Sequence, residues 1–142
     1  MTIEEIQAQI IEEMDLFEDW TDKYEYIIEL GKSLQTIAED KKIDSNKIKG
    51  CQSNVWLDAT YADGKVLFTA DSDALIVKGL VSLVLKVFSN QSPQDIINAN
   101  LDFIEKTGLS QHLAQTRSNG LLSMVKQIKF YAMAFSVQST KY

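Results

Sequence analysis

Between Leu75 and Phe88 the chain reads Leu-Ile-Val-Lys-Gly-Leu-Val-Ser-Leu-Val-Leu-Lys-Val-Phe, with little beyond Lys78, Ser82 and Lys86 to face water. Wound as a helix, this stretch is apolar almost all round, and such a helix is stable only when other elements cover it. It is too short to span a bilayer, which takes roughly 20 residues. It is therefore the middle of a core, and the rest of the chain has to supply the cover.

The flanking segments supply it in two different periods. Thr2-Ile-Glu-Glu5 has the order of a capping box, and Ile3, Ile6, Ile10, Met14 and Phe17 recur at helical spacing with acids between them. After a break at Asp19-Trp20-Thr21, Tyr24, Ile27, Ile28, Gly31, Leu34 and Ala38 predict a second amphipathic helix ending near Lys41. Asp44-Ser-Asn46 reads as a turn, and the period then falls to 2: Val55, Leu57, Ala59 and Tyr61 alternate with Trp56, Asp58 and Thr60. Ala62-Asp-Gly64 makes a hairpin turn into a second strand, Lys65–Ala70. Ser72 stands where a cap for the apolar helix is needed, with Asp71 and Asp73 as acids favourable to its dipole or as partner contacts. Ser92-Pro-Gln-Asp95 starts a short helix through Asn98, another runs from Asn100 towards Gly108, and Ser118-Asn-Gly120 opens a long helix reaching about Val137.

Helices, a short antiparallel sheet of three strands and helices again predict an α+β fold, with the helices covering the sheet. The predicted core is Ile6, Ile10, Ile27, Leu34, Leu57, Phe68, Leu80, Leu83, Val84, Val125 and Ala132. At 142 residues, 45% hydrophobic and with one proline, residues 1–142 fit one domain.

The net charge of −6 hides an asymmetry: residues 1–40 hold twelve carboxylates against Lys23 and Lys32, and the remainder carries an excess of bases. An acidic amino-terminal face repels phosphate backbones, and no arginine-rich tract appears elsewhere, so no nucleic-acid partner is expected. The opening Met-Thr-Ile-Glu-Glu-Ile lacks the order of a secretory signal. A cytoplasmic protein without a membrane partner is the expectation. Cys51 and His112 are the only residues of their kinds. Alone they cannot make a disulfide or supply the about four ligands of a zinc or iron–sulfur site.

Cys51 lies in Lys47-Ile-Lys-Gly-Cys-Gln-Ser-Asn-Val-Trp56, after a glycine and before the first strand. It is either a small buried hydrophobe or a thiol exposed on a turn. Lys47 and Lys49 either favour its thiolate or keep the loop solvated. His112 reads as structural or surface, and Trp20 and Trp56 as packing residues.

Three clusters, Gly50-Cys-Gln-Ser-Asn-Val-Trp56, Ala70-Asp-Ser-Asp-Ala-Leu-Ile-Val-Lys-Gly-Leu80 and Arg117-Ser-Asn-Gly-Leu121, together resemble the SufE family, as do Trp20, Tyr24 and Leu30-Gly-Lys32. The resemblance implies a fold like that of IscU-type scaffolds and a sulfur-acceptor role. A PLP-dependent cysteine desulfurase of the SufS type would pass persulfide sulfur to Cys51, for delivery to the SufBCD scaffold in iron–sulfur cluster assembly. PLP would belong to the partner, and this chain would hold no cofactor or metal, as a monomer or weak homodimer. By position the acceptor is Cys51, its loop motif is Gly50, Gln52 and Ser53 beside Lys49, the motif arginine is Arg117 with Asn119 and Gly120, and Asp73 joins the loop or partner-binding set. The chain departs from the pattern at Ala114-Gln-Thr116, where a proline is common, and at Ile48, where valine is usual. Two other functions share these residues: a paralogous CsdE-like acceptor feeding another pathway, and a non-catalytic adaptor with a structural cysteine.

Overall fold

The protein is described by a computed structural model over residues 1–140, with backbone alone for 115, 116 and 138–140. Helix α1 is Ile3–Asp15. The Glu5 N–H donates to Thr2 Oγ1 at 3.1 Å and the Thr2 N–H to Glu5 Oε1 at 3.0 Å, so the predicted capping box is formed. Phe17 lies beyond this helix and packs on Tyr26. Helix α2 is Trp20–Gly31, capped by Asp19, which accepts from the Asp22 N–H at 2.9 Å.

The spacing predicts α2 to continue to Lys41, but it stops ten residues earlier than that. Residues after Ser33 are extended instead: the Ala70 N–H donates to Gln35 O, the Ile37 N–H donates to Ala70 O, and Ile37 is buried. The β-branched pair Thr36-Ile37 suits an extended path, and burying Ile37 against the sheet outweighs a further helical turn. Two 3-10 turns, Glu39–Lys41 and Asp44–Asn46, complete a strap across the sheet.

Strands β1, Val55–Ala62, and β2, Lys65–Ser72, pair antiparallel with Leu57 opposite Ala70 and Ala62 opposite Lys65. Asp63 and Gly64 both have positive φ, 54° and 77°, as a two-residue hairpin requires. The sheet has two strands, not the predicted three. Where a third would lie, single bridges stand: Thr36 with Ala70 on one edge and Lys47 with Trp56 on the other. The strap carries two 3-10 turns between those points, so neither contact extends into a ladder.

Helix α3 is Leu75–Phe88, and its N-cap is Ala74 rather than Ser72. Ser72 closes β2, and Asp71 is buried at 9% exposure with Lys42 at 2.8 Å and Lys78 at 3.3 Å. Burial opposes ionisation of Asp71, but the bonds from Lys42, the Ser72 N–H and Lys78 win and hold its carboxyl below the ordinary range. Asp71 therefore ties the strap to α3 instead of capping the helix.

Helix α4, Pro93–Asn98, begins at Ser92 as predicted, with the Asp95 N–H donating to Ser92 Oγ. The helix expected from Asn100 to Gly108 is two pieces, α5 at Phe103–Lys106 and α6 at Leu109–His112. Its early part is claimed by Gln7 of α1, whose amide donates to Asn100 O at 2.8 Å and accepts from the N–H groups of Asp102 and Phe103. His112 stacks on Trp20 with ring centroids 3.8 Å apart, a structural role. Helix α7, Gln115–Thr140, starts before Ser118, so Arg117 is in its first turn. Among the described residues no helix is long and apolar enough to cross a membrane.

The predicted core is buried except for Leu34 and Val125, which are partly buried against it. Helix α3 is covered by α2, α1, α7 and β2. Its closest neighbour is α2. A methyl group on Gly79 would overlap the Ile27 carbonyl, and one on Gly31 would lie 3.0 Å from Gly79 N. Alanine at position 79 has better helix propensity, but the overlap costs more, so Gly79→Ala is expected to destabilise the fold by about 1–3 kcal/mol. A urea midpoint equal to that of the unsubstituted protein would show that α2 and α3 separate without cost.

Candidate functional site

The Cys51 loop is tethered at both ends. On one side the Ile48 N–H donates to Val55 O at 2.8 Å and the Ile48 side chain is buried. On the other, Asp73 takes the Asn54 N–H at 3.1 Å and its side-chain amide at 2.8 Å, while the Asp73 N–H donates to Asn54 O. Asp73 thus fixes the loop to the leading edge of α3 rather than capping it. Between the tethers, Gly50 has φ 87°, a left-handed conformation that costs an L side chain about 1–2 kcal/mol. That bend turns Cys51 inward.

Cys51 is half-buried and faces a cavity of about 70 Å³. Gln52 and Ser53 line it from the loop, Val77 and Val81 from α3, and Arg117 and Gly120 from α7. The sulfur lies directly on α7: a methyl group at Gly120 would be 2.8 Å from Cys51 Sγ. Only at glycine does the helix surface leave room for the thiol. Burial pushes the Cys51 thiol above its ordinary value. The helix that supplies Gly120 also brings Arg117 to the wall of the same cavity, and a cationic side chain near a solvated sulfur favours its thiolate.

The residues singled out in the sequence are therefore divided. Gly50, Cys51, Gln52, Ser53 and Arg117 meet at one place, with Asp73 behind them. Asn119 is exposed on α7 outside the cavity wall. Lys47 and Lys49 do not reach the thiol: Lys47 turns to Asp44 at 3.5 Å and to the Trp56 ring, and Lys49 lines a separate groove. Asn54 went unrecognised in the sequence as a tether, since its partner Asp73 is brought to it only by the β1–β2 hairpin.

Comparison with known proteins matches residues 8–132 to the family model described as SufE, Fe-S metabolism associated domain. An uncharacterized SufE-like protein of Rhizobium meliloti is 42% identical over 127 residues, covering 85% of this chain and 90% of the relative. One of Rhizobium etli is 46% identical over 129 residues, covering 85% of each, and one of Synechocystis is 38% identical over 130, covering 92% and 82%. The solution structure of a hypothetical protein from Thermus thermophilus superposes with a TM-score of 0.76 at 16% identity, covering 91% of this chain and 94% of the other, a likeness of fold. With its single thiol seated on the glycine of α7, and with that match running from α1 into α7, the chain belongs to the SufE family, which is associated with iron–sulfur metabolism.

Proposed function

We propose that the protein is a sulfur carrier: Cys51 accepts persulfide sulfur from a PLP-dependent cysteine desulfurase of the SufS type and passes it to a SufBCD scaffold. The observation that carries this reading is the seat of Cys51, a lone thiol on a tethered loop over a space of about 70 Å³. The cavity has room beside Sγ for a second sulfur. In this reading the substrate of the thiol is a persulfide sulfur carried on another protein.

In the acceptance step the Cys51 thiolate attacks the outer sulfur of the donor persulfide. The donor's sulfur–sulfur bond breaks, its cysteine leaves as thiolate, and Cys51 becomes the persulfide. In delivery the roles reverse, and Cys51 is the leaving thiolate. At rest, burial pushes the Cys51 thiol up and disfavours its thiolate. Moving the loop outward about Gly50 brings the sulfur into solvent and within reach of Arg117, where the thiolate is favoured. Closure afterwards returns Sγ to Gly120 and places the outer sulfur in the adjoining cavity, away from stray thiols. Gln52 and Ser53 shape the rim, and Asp73 holds the loop in register. A cytoplasmic setting, where thiols stay reduced, suits a carrier with one cysteine.

The direct test is intact-mass measurement after incubation with cysteine and a PLP-loaded desulfurase. One added sulfur is expected on the protein and none on Cys51→Ser; the absence of an addition, or its persistence in that variant, refutes the carrier role. Arg117→Ala should slow transfer by about tenfold, the equivalent of roughly 1.4 kcal/mol of lost charge stabilisation, without changing the melting temperature. Because burial raises the thiol, alkylation of the free protein by iodoacetamide should climb with pH to a midpoint above about 8.5, the value of an unperturbed cysteine. A midpoint at or below that value would mean the sulfur is not desolvated. Gly120→Ala should expel the sulfur from its seat, so that alkylation at neutral pH is faster while stability is retained; equal alkylation rates would show that the seat has no role.

A further inference from the structure

Beside the Cys51 cavity, on the other side of the loop, lies a groove of about 380 Å³. Leu57 of β1 is on its floor, Phe130 and Tyr131 of α7 form the apolar wall, and Lys47, Lys49 and Lys126 line it. Gly50 separates it from the thiol: a methyl group there would be 3.5 Å from Ser123 Oγ, another lining residue. The residues on either side of Gly50 thus face two sites, Lys49 the groove and Cys51 the cavity.

The charges point to an occupant. Among the described residues, Lys49 and Lys126 have no carboxylate within 4.0 Å, and Lys47 has only the exposed Asp44 at 3.5 Å. Asp58, near Tyr131, is the other acid beside the groove. Phe130 is 64% exposed between these cations. On a chain of net charge −6, whose first forty residues are strongly acidic, a lysine-lined groove with an exposed aromatic wall attracts a negatively charged partner that the amino-terminal helices repel. The groove meets β1 at Leu57, and past the Lys47–Trp56 bridge the outer edge of β1 carries no bridge among the described residues, so an extended segment leaving the groove can continue along that edge.

We infer that this groove docks an extended acidic segment, carrying one bulky apolar side chain, of the protein that donates sulfur to Cys51. The inference rests on the carrier reading above and names a feature of its donor. The donor is chosen over the recipient because acceptance is the step in which Cys51 itself must attack, and its sulfur is seated against Gly120 and turned into the cavity until the loop moves. A segment seated beside Lys49 and Gly50 bears on the loop that hides the sulfur, so docking and release of the thiol are one event.

The test uses the full chain and its PLP-loaded cysteine desulfurase. Affinity is measured by calorimetry at low and high salt, and Cys51 alkylation with and without the desulfurase, for the unsubstituted protein, Lys49→Glu/Lys126→Glu, and Lys65→Glu as a distant charge change. The double reversal is expected to weaken binding at least about tenfold and to abolish the desulfurase-induced rise in alkylation, with melting unchanged, while Lys65→Glu stays within about twofold. A photo-crosslinker at Gln127 is expected to mark an acidic stretch of the desulfurase. If the unsubstituted protein neither binds nor accepts sulfur, the carrier reading falls and this inference with it. If it binds and accepts sulfur but the double reversal does so equally well, or if the crosslink marks a segment without acids, the groove is not the docking site and the carrier reading stands. Loss of affinity for the scaffold alone likewise overturns the assignment to the donor.

Discussion

The contact on which the molecule depends is backbone against backbone, where Gly79 of α3 meets the carbonyl of Ile27 in α2 with no room for a side-chain carbon between them. Helices usually pack 8–10 Å apart, a distance set by the side chains at the crossing. Here glycine takes the place of the side chain, and α3 is drawn tightly into the molecule. Every other relation follows from where α3 then lies: β2 packs on it, α7 crosses it, and Val77, Leu80 and Val81 are turned towards the space in front of Cys51. Asp73, just ahead of its first turn, holds Asn54 and with it the Cys51 loop.

The carrier role proposed for Cys51 makes two demands that oppose one another. Concealing the sulfur calls for an apolar seat, and the seat raises the thiol; attacking a persulfide calls for a thiolate, which wants water and positive charge. A rigid site would have to compromise. A loop with fixed ends and a glycine at its bend can satisfy each requirement in turn, because its tethers at Ile48 and Asn54 define where it returns. Lys47 and Lys49, next to Cys51 in the chain, are not next to it in space: they stand on the groove side of the loop.

Much of this was legible in the chain wherever a local rule applied. The capping box at Thr2, the Asp63-Gly64 hairpin, the Ser92-Pro93 helix start and the buried character of Leu75–Phe88 all depend on neighbours within a few residues. Predictions failed where a distant partner outweighed local preference. Thr36 and Ile37 left the α2 pattern for the edge of β2, Gln7 took the backbone that would have begun a helix at Asn100, and Asp71 abandoned a capping position for Lys42 and Lys78. No third strand joins the hairpin, whose edges carry only isolated bridges, such as Thr36 with Ala70 on one edge and Lys47 with Trp56 on the other.

By itself, the sequence determined the elements, the single thiol and the motif residues that mark the family, because these are written in periodicity, in turn chemistry and in residue identity. Tertiary structure alone decided that Cys51 rests on Gly120, that Arg117 and not Lys47 or Lys49 shares its cavity, and that Asp73 tethers its loop. These pairings join residues far apart in the chain. They exist only after the helices and the hairpin have packed, and packing answers to burial and steric fit over the whole domain, not to the order of residues along any one segment.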